Sequence, residues 1–226
     1  ASLARELGAK TVGLVAPYLA YMRQDARFNE GEAITAVQYA AWLSRYLDWL
    51  VTVDPHLHRI PSLDRIYAIP STVVQSAPAI AAWIGSHVAE PLVVGPDGES
   101  AQWAGCVARE VGCPVVTLEK VRHGDRDVEV SLPELGAWQG RTPVLIDDII
   151  STARTMIAAI GRLRAAGATR PAVCLGVHAL FADDALAALH AAGAGTVATC
   201  NTIVHPTNAI DLCEDIARSV APLVRR

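Results

Sequence analysis

Two kinds of segment alternate along this chain: short runs of β-branched and other apolar residues, and longer Ala- and Leu-rich segments with apolar positions at helical spacing. The short runs predict strands at residues 11–16, 50–53, 92–95, 114–118, 144–146, 172–177 and 196–202. The longer segments predict helices at residues 33–47, 73–88, 101–111, 152–166, 183–192 and 209–220. Near-continuous apolar strands that alternate with helices are typical of mostly parallel sheets covered on both faces, so we predict an α/β fold.

The composition narrows the class of protein. The 226 residues leave room for one large domain or two modest ones. Apolar residues make up 52% of the chain and charged residues 19%, which excludes a mainly disordered protein. The net charge of -4 gives no overall basic field, and aromatic residues are only 5% of the chain. We therefore expect no nucleic-acid partner, and a local cluster of side chains must hold any bound anion.

The longest stretch without Asp, Glu, Lys or Arg, residues 66–89, is long enough to span a bilayer. Pro70 and Pro78 interrupt it and several polar residues dilute it, so we predict a strand, a loop and a helix there, and no membrane partner. The five cysteines are an odd number with no C-x-x-C pair. This pattern indicates free thiols in a reducing, cytoplasmic compartment rather than a disulfide framework or a zinc site.

Polar residues follow five of the predicted strands, at the carboxyl ends where parallel sheets bind their ligands. The most specific group has two carboxylates followed by hydroxyls at the start of a predicted helix: Asp147, Asp148, Ser151, Thr152 and Thr155. Free N–H groups at a helix start suit a phosphate dianion, and carboxylates accept hydrogen bonds from sugar hydroxyls. The pattern favours a phosphorylated sugar. The alternative is an ordinary Ser or Thr N-cap. The paired aspartates weigh against this alternative, because two like charges side by side cost stability unless a ligand engages them.

Asp54 and His56 follow the second predicted strand, two positions apart, and Asp97 follows the third. An imidazole and carboxylates can hold a divalent cation, and Mg²⁺ takes few protein ligands and keeps waters or phosphate oxygens. These residues are candidate metal ligands. The alternative is a solvated turn with a structural histidine.

Two further groups could handle a nucleotide. Lys120 and Arg122 alternate along a predicted strand end and could neutralise a transferring phosphoryl group, with residues 127–130 forming a β-flap beyond them. Arg23 can bind phosphate with its guanidinium fork, and Gln24 can hydrogen-bond an adenine edge. The alternatives are a solvated charged hairpin and a surface turn.

These groups together resemble the ribose-phosphate diphosphokinase family, the phosphoribosyl diphosphate (PRPP) synthases, and most closely its archaeal-type branch. The resemblance runs from about Ser2 to the C-terminus, over the motifs P-Y-L-A-Y-M-R-Q-D, V-D-P-H-L-H, G-P-D, E-K-V-R-H-G-D-R-D-V-E-V and I-D-D-I-I-S-T-A-R-T. The last motif alone is shared with all type I phosphoribosyltransferases. Its combination with R-Q-D, D-x-H and K-x-R is more specific to this family.

The resemblance implies a role for each matching residue. Lys120 would be the catalytic lysine and Arg122 its partner. ATP would be bound by Arg23 and Gln24, with Asp25 in the same motif, and Mg²⁺ by His56 and Asp97, with Asp54 close by. Ribose 5-phosphate would be bound through its hydroxyls by Asp147 and Asp148 and through its phosphate by Ser151, Thr152, Ala153, Arg154 and Thr155.

The resemblance also implies two phosphoribosyltransferase-like domains. We predict an N-terminal domain on the ATP side over residues 1–64, incomplete in this chain, and a C-terminal domain on the ribose 5-phosphate side over residues 65–226. The last helix is expected to pack back on the first domain. Because active sites in the family form with help from a neighbouring subunit, a homo-oligomer, a dimer or higher, is expected.

The expected activity is Mg²⁺-dependent transfer of the diphosphoryl group of ATP to the 1-hydroxyl of ribose 5-phosphate, giving PRPP and AMP. The alternatives are a non-catalytic regulatory paralogue and a phosphoribosyltransferase that consumes PRPP. This chain departs from many relatives at Glu99 and Ser100, which follow Gly98, and at Ser151 and Ala153 in the phosphate loop. A Cβ at Ala153 is tolerable only where the backbone does not need a positive φ.

Overall fold

A computed structural model describes residues 1–96, 98, 100–118, 121–123, 127–129, 138 and 140–224. The chain divides into two compact units, one comprising Ala1–Gln75 with Leu212–Arg226 and the other Ser76–Asp211. The domain boundary predicted at residues 64 and 65 stays a prediction. Among the described residues, no helix is both long enough and apolar enough to cross a membrane.

The first unit is built on three parallel strands in the order β1-β2-β3: β1 Gly13–Ala16, β2 Trp49–Val53 and β3 Ser71–Val74. Its helices are α1 Ser2–Glu6, α2 Thr35–Leu43 and the last helix of the chain, α7 Cys213–Val224, with a short 3₁₀ turn at Leu63–Arg65. Helix α7 packs against β2 and β3.

Close packing in the first unit follows from a few positions. Helix α2 buries Ala36, Ala40 and Leu43, the i, i+4, i+7 spacing of one helical face. Gly13 lies directly opposite Trp49, and a Cβ at this glycine would overlap the indole ring. A larger residue at this position would force the indole out of its place between these two strands.

The second unit has a six-stranded parallel sheet in the order β11-β10-β9-β8-β4-β5. Its strands are β4 Pro91–Gly95, β5 Val115–Thr117, β8 Thr142–Ile150, β9 Ala172–Ala179, β10 Ala194–Cys200 and β11 Asn208–Ile210. The helices are α3 Ala77–His87, α4 Ala101–Val111, α5 Arg154–Ala165 and α6 Ala185–Ala192. Two short strands, β6 Val121–His123 and β7 Asp127–Glu129, form a separate antiparallel pair.

The strand order places the topological switch point between β4 and β8. From β4 the chain adds β5 on one side, and from β8 it adds β9, β10 and β11 on the other. In open parallel sheets ligands bind beyond the carboxyl ends of the strands at such a point. The end of β8, where Asp147 and Asp148 lie, is therefore the position at which a ligand of this unit is expected.

The predicted α/β fold with parallel sheets is confirmed, and so is the strand, loop and helix predicted over residues 66–89. Some boundaries were wrong. The helix predicted from residue 73 begins at Ala77, because Val73 and Val74 belong to β3 and Pro78 lies in the first turn of α3. The helix predicted over 209–220 begins at Cys213, after the short strand β11. Strand β8 continues to Ile150 rather than 146 because β9 extends alongside it to Ala179.

The burial of Cys174 generates a prediction. Its side chain lies inside the hydrophobic core of the second unit (the second core), where burial raises the pKa of the thiol to about 12. A thiol that stays protonated and inaccessible is a poor nucleophile. We expect no alkylation of Cys174 by iodoacetamide at pH 8 in the folded protein, while the exposed Cys213 reacts.

Peptide mapping by mass spectrometry measures both modifications. In 8 M urea the two thiols should react at similar rates. Equal rates for Cys174 and Cys213 in the folded protein would contradict the burial of Cys174.

Candidate functional site

The loop between β8 and α5 leads into a helix start without a side-chain cap at the predicted phosphate site. Ala153 is the N-cap of α5, and no side chain makes a capping hydrogen bond there. The ordinary Ser or Thr N-cap, the alternative interpretation of this segment, is therefore wrong. The first-turn N–H groups of a helix have no intrahelical partner, so this helix start can donate to an anion. Thr152, Arg154 and Thr155 are exposed around it.

Ala153 adopts a left-handed conformation, with φ +56°. This is the condition under which a Cβ is unfavourable, and it costs about 1–2 kcal/mol for a residue other than glycine. The surroundings hold the residue in place: Ala153 is buried in the second core, and the carbonyl of Ser151 accepts a hydrogen bond from the Ala182 N–H at 3.2 Å. The strained turn is thus fixed from both sides.

The sequence predicted that the two aspartates follow the end of the strand, but they lie within β8. Both are half-buried, and the Asp147 Oδ1 accepts the Asp148 N–H at 3.0 Å. The strand extends past them because Asp147 and Ile149 pair in register with Gly176 and His178 of β9. The carboxylates are therefore carried by a paired strand, which positions them more firmly than a free loop would.

In the first unit, the predicted ATP-binding residues lie on a turn after β1. The turn is closed by the Gln24 N–H, which donates to the Tyr21 carbonyl at 3.0 Å, and Tyr21 has φ +66°. Arg23 is exposed on this turn, and Gln24 donates from Nε2 to the Glu32 carboxylate at 3.1 Å. Their contacts with ATP stay predictions.

Glu32 is a supporting residue that the sequence analysis missed. Its carboxylate accepts hydrogen bonds from the Asn29 side chain at 2.6 Å and from the backbone N–H of Phe28 at 3.1 Å. These hydrogen bonds hold the pKa of Glu32 below its usual value. The only available signal was the local spacing N-x-x-E, a pattern of turns and caps.

Asp25 lies beneath the same turn, with its side chain fully buried. Its Oδ1 accepts Nη1 of Arg59 at 3.0 Å, and its Oδ2 accepts the Arg59 backbone N–H at 3.3 Å. The guanidinium of Arg59 also lies over the Phe28 ring, 5.4 Å from its centroid. The carboxylate therefore ties the turn to the loop that follows β2. Direct contact between Asp25 and ATP stays a prediction.

The loop after β2 carries the candidate metal ligands of the first unit. Asp54 has φ +29°, and its N–H donates to the Val74 carbonyl at 3.1 Å. Asp54 and His56 are half-buried. A carboxylate and an imidazole two positions apart fit a divalent cation that keeps waters or phosphate oxygens as its other ligands.

The structure describes the remaining predicted metal ligand and the two predicted catalytic residues only in part. Asp97 and Lys120 lie outside the described residues. Arg122 lies in β6, and only its backbone is described, paired with Val128 of β7. The antiparallel pair of β6 and β7 agrees with the β-flap expected at this place.

The sequence matches one domain family and several proteins of known name. Residues 62–215 match the model of the phosphoribosyl transferase domain. The chain is 34% identical over 223 residues to the ribose-phosphate pyrophosphokinase of Methanopyrus kandleri, covering 97% of this chain and 75% of that protein. It is 33% identical over 222 residues to the ribose-phosphate pyrophosphokinase of Sulfolobus acidocaldarius, covering 95% and 74%.

A crystal structure of phosphoribosylpyrophosphate synthetase from Mycobacterium smegmatis has a similar fold. The TM-score is 0.84 at 24% sequence identity, over 99% of this chain and 74% of that chain. At this identity the likeness is one of fold.

The buried Asp25 generates a stability prediction. Arg59→Ala removes its cation and leaves a buried carboxylate uncompensated, which is costly. Because the Arg59 side chain is itself about half exposed, we expect a loss of about 2 kcal/mol in the free energy of unfolding, below the range for fully buried pairs. Urea denaturation followed by circular dichroism measures it.

Arg65→Ala, at an exposed arginine of the 3₁₀ turn, is the matched control and should change stability by less than about 0.5 kcal/mol. Adding Asp25→Asn to Arg59→Ala removes the buried charge, so part of the stability should return. No recovery in the double variant would argue against the ion pair as the source of the loss.

Proposed function

The chain belongs to the ribose-phosphate pyrophosphokinase family, and we propose that it transfers the diphosphoryl group of ATP to the 1-hydroxyl of ribose 5-phosphate in a Mg²⁺-dependent reaction. The family membership confirms the resemblance seen in the sequence and makes the chain an enzyme of this family. The products proposed are PRPP and AMP. The observation that carries the proposal within the structure is the uncapped start of α5 beside two strand-borne carboxylates.

The ribose 5-phosphate side of the proposal rests on the second unit. The first-turn N–H groups of α5, with the hydroxyls of Ser151 and Thr155, would hold the 5-phosphate. Asp147 and Asp148 would accept hydrogen bonds from the ribose hydroxyls. A sugar held at both ends has its 1-hydroxyl fixed in place, and orientation of this kind is a large part of the rate enhancement expected for phosphoryl transfer.

The ATP side rests on the turn after β1. Arg23 is exposed where its guanidinium can bind phosphate oxygens, and Gln24 offers an amide to the adenine. The hydrogen bonds of Glu32 and the buried Asp25 hold this turn in one conformation. The residues that touch ATP would thus be presented on a preorganised surface.

The chemical step needs positive charge rather than a covalent intermediate. The ribose O1 forms a bond to the β-phosphorus of ATP, the bond from that phosphorus to the α-phosphate oxygen breaks, and the hydroxyl proton is released. Lys120 and Arg122 would neutralise charge on the transferring group. Asp54, His56 and Asp97 would hold Mg²⁺, which when bound neutralises charge on the triphosphate.

The assembly and location proposed follow the family resemblance. We expect a homo-oligomer whose subunits complete one another's sites. A cytoplasmic location stays a prediction.

One assay tests the proposed reaction directly. The protein is incubated with ATP, ribose 5-phosphate and MgCl₂, and the phosphorus species are followed by ³¹P NMR. Formation of PRPP and AMP in equal amounts is the expected result. A regulatory paralogue would give neither product, and a PRPP-consuming transferase would instead release diphosphate from PRPP when given a nucleobase.

The same assay tests Lys120. Lys120→Ala is expected to lower kcat by about 1,000-fold or more, because a preorganised charge at the transferring group is lost. Lys10 is the only other lysine of the chain and is exposed, so Lys10→Ala is a matched control that should retain full activity. Turnover near that of the unmodified protein in Lys120→Ala would remove the central role assigned to this side chain.

The phosphate loop gives a separate kinetic prediction. Thr155→Ala removes one hydroxyl donor to the 5-phosphate and is expected to raise KM for ribose 5-phosphate by about 10-fold, since a hydrogen bond to a charged group contributes roughly 1.5–3 kcal/mol. KM for ATP and kcat should change little. Ser86→Ala, at an exposed serine of α3, is the control. An unchanged KM for ribose 5-phosphate would contradict the proposed phosphate contact.

A further inference from the structure

Two histidines of the loop after β2 lie against each other. The ring centroids of His56 and His58 are 4.1 Å apart, with the ring planes at 65°. One ring nitrogen of each lies within 4.8 Å of the other. Two nitrogens that share one ion at about 2.1 Å each are roughly 3 Å apart, so a small rotation of the side chains brings both onto a single cation.

The local chain explains why these two imidazoles share a face. Pro55 is buried, and Leu57 packs against the core of the first unit. In an extended segment alternate residues project to the same side, so anchoring Pro55 and Leu57 inward leaves His56 and His58 together on the other side. The pair is a consequence of how this loop is attached to the core.

The residues beyond the pair fix the end of the loop. Ile60 is buried in the same core, and the Arg59 N–H and guanidinium are bound by the buried Asp25. A chelating pair gains affinity when its backbone is already ordered, because less conformational entropy is lost on binding. The two imidazoles are therefore held close before any ion arrives.

The donor set determines which cation such a pair prefers. Mg²⁺ is a hard ion that takes oxygen ligands and dehydrates reluctantly. Imidazole nitrogen suits first-row transition metals, and the affinity of nitrogen sites rises from Mn²⁺ towards Cu²⁺. A second imidazole beside His56 therefore raises the affinity of the loop for these metals, while carboxylate oxygens still suit Mg²⁺.

We infer that His58 is a metal ligand together with His56, and that this pair lets the loop, where Mg²⁺ would act in the reaction, also bind a first-row transition-metal dication with higher affinity than one imidazole would give. The inference rests on the proposed function for the role of the ion, because the loop is the one that would place a cation on the triphosphate of ATP. Two nitrogen ligands leave the remaining coordination positions to water, protein carboxylates or phosphate oxygens. His58 is thus a residue that sets metal preference.

Metal binding without substrates provides the test. Isothermal titration calorimetry measures the dissociation constant for Co²⁺ in tag-free protein, with ATP and ribose 5-phosphate left out. His58→Ala should weaken Co²⁺ binding by about 10–100-fold, the scale of loss seen when metal sites are altered. Mg²⁺ binding should change less than twofold. His87→Ala, at an exposed histidine of α3, should leave both dissociation constants unchanged.

Equal Co²⁺ affinities in His58→Ala and His87→Ala would overturn the inference, and so would Co²⁺ binding that an equal concentration of Mg²⁺ displaces. Because His58 is exposed, its replacement should leave the thermal unfolding midpoint within a few degrees of the unmodified value.

A second measurement needs no variant. The ring ¹⁵N resonances of His56 and His58 should both shift when Zn²⁺ is added to the unmodified protein, and a shift of His56 alone would also overturn the inference. Neither measurement uses turnover, so a failure of the proposed reaction and a failure of this metal site are told apart.

Discussion

Strand β8 lies between β4 and β9 over its first residues and stays paired with β9 to its end, and the phosphate side of the site depends on that second pairing. Because β9 runs beside β8 up to Ile150, the carboxylates of Asp147 and Asp148 are carried on an ordered strand. The helix that follows begins within four residues, at Arg154. The N-cap residue is Ala153, whose side chain has no hydrogen-bonding atom, so the helix start is left to donate to a ligand.

Strain recurs at the starts of the functional loops. Among the described residues, five residues other than glycine have a positive φ, and three of them are Tyr21, Asp54 and Ala153. Each of the three lies at a turn that carries predicted ligand-binding residues. Backbone conformations of this kind persist only where the surroundings fix them. Here the fixing contacts are the Val74 carbonyl for Asp54 and the second core for Ala153.

The sequence predicted those features that depend on local pattern. Helix α4 was predicted with its observed bounds, because its amphipathic spacing is regular and Gly112 ends it in a left-handed conformation. Strand β11 was missed, and the last two residues of β3 were assigned to the following helix, because both strands are only three or four residues long and run into apolar helical sequence. The pairing that defines them comes from distant parts of the chain, which no local window contains.

The same distinction applies to the candidate site. Sequence motifs located the loops, because the residues of one loop are consecutive in the sequence. They did not identify the distant residues whose contacts fix the conformation of those loops. Arg59 lies 34 positions from Asp25, and nothing in either segment indicates that they pair. The motif therefore predicts that Asp25, the third residue of R-Q-D, contacts the nucleotide. In the structure its carboxylate is buried against Arg59. One buried charge thus links the turn that would bind ATP to the loop that carries both histidines.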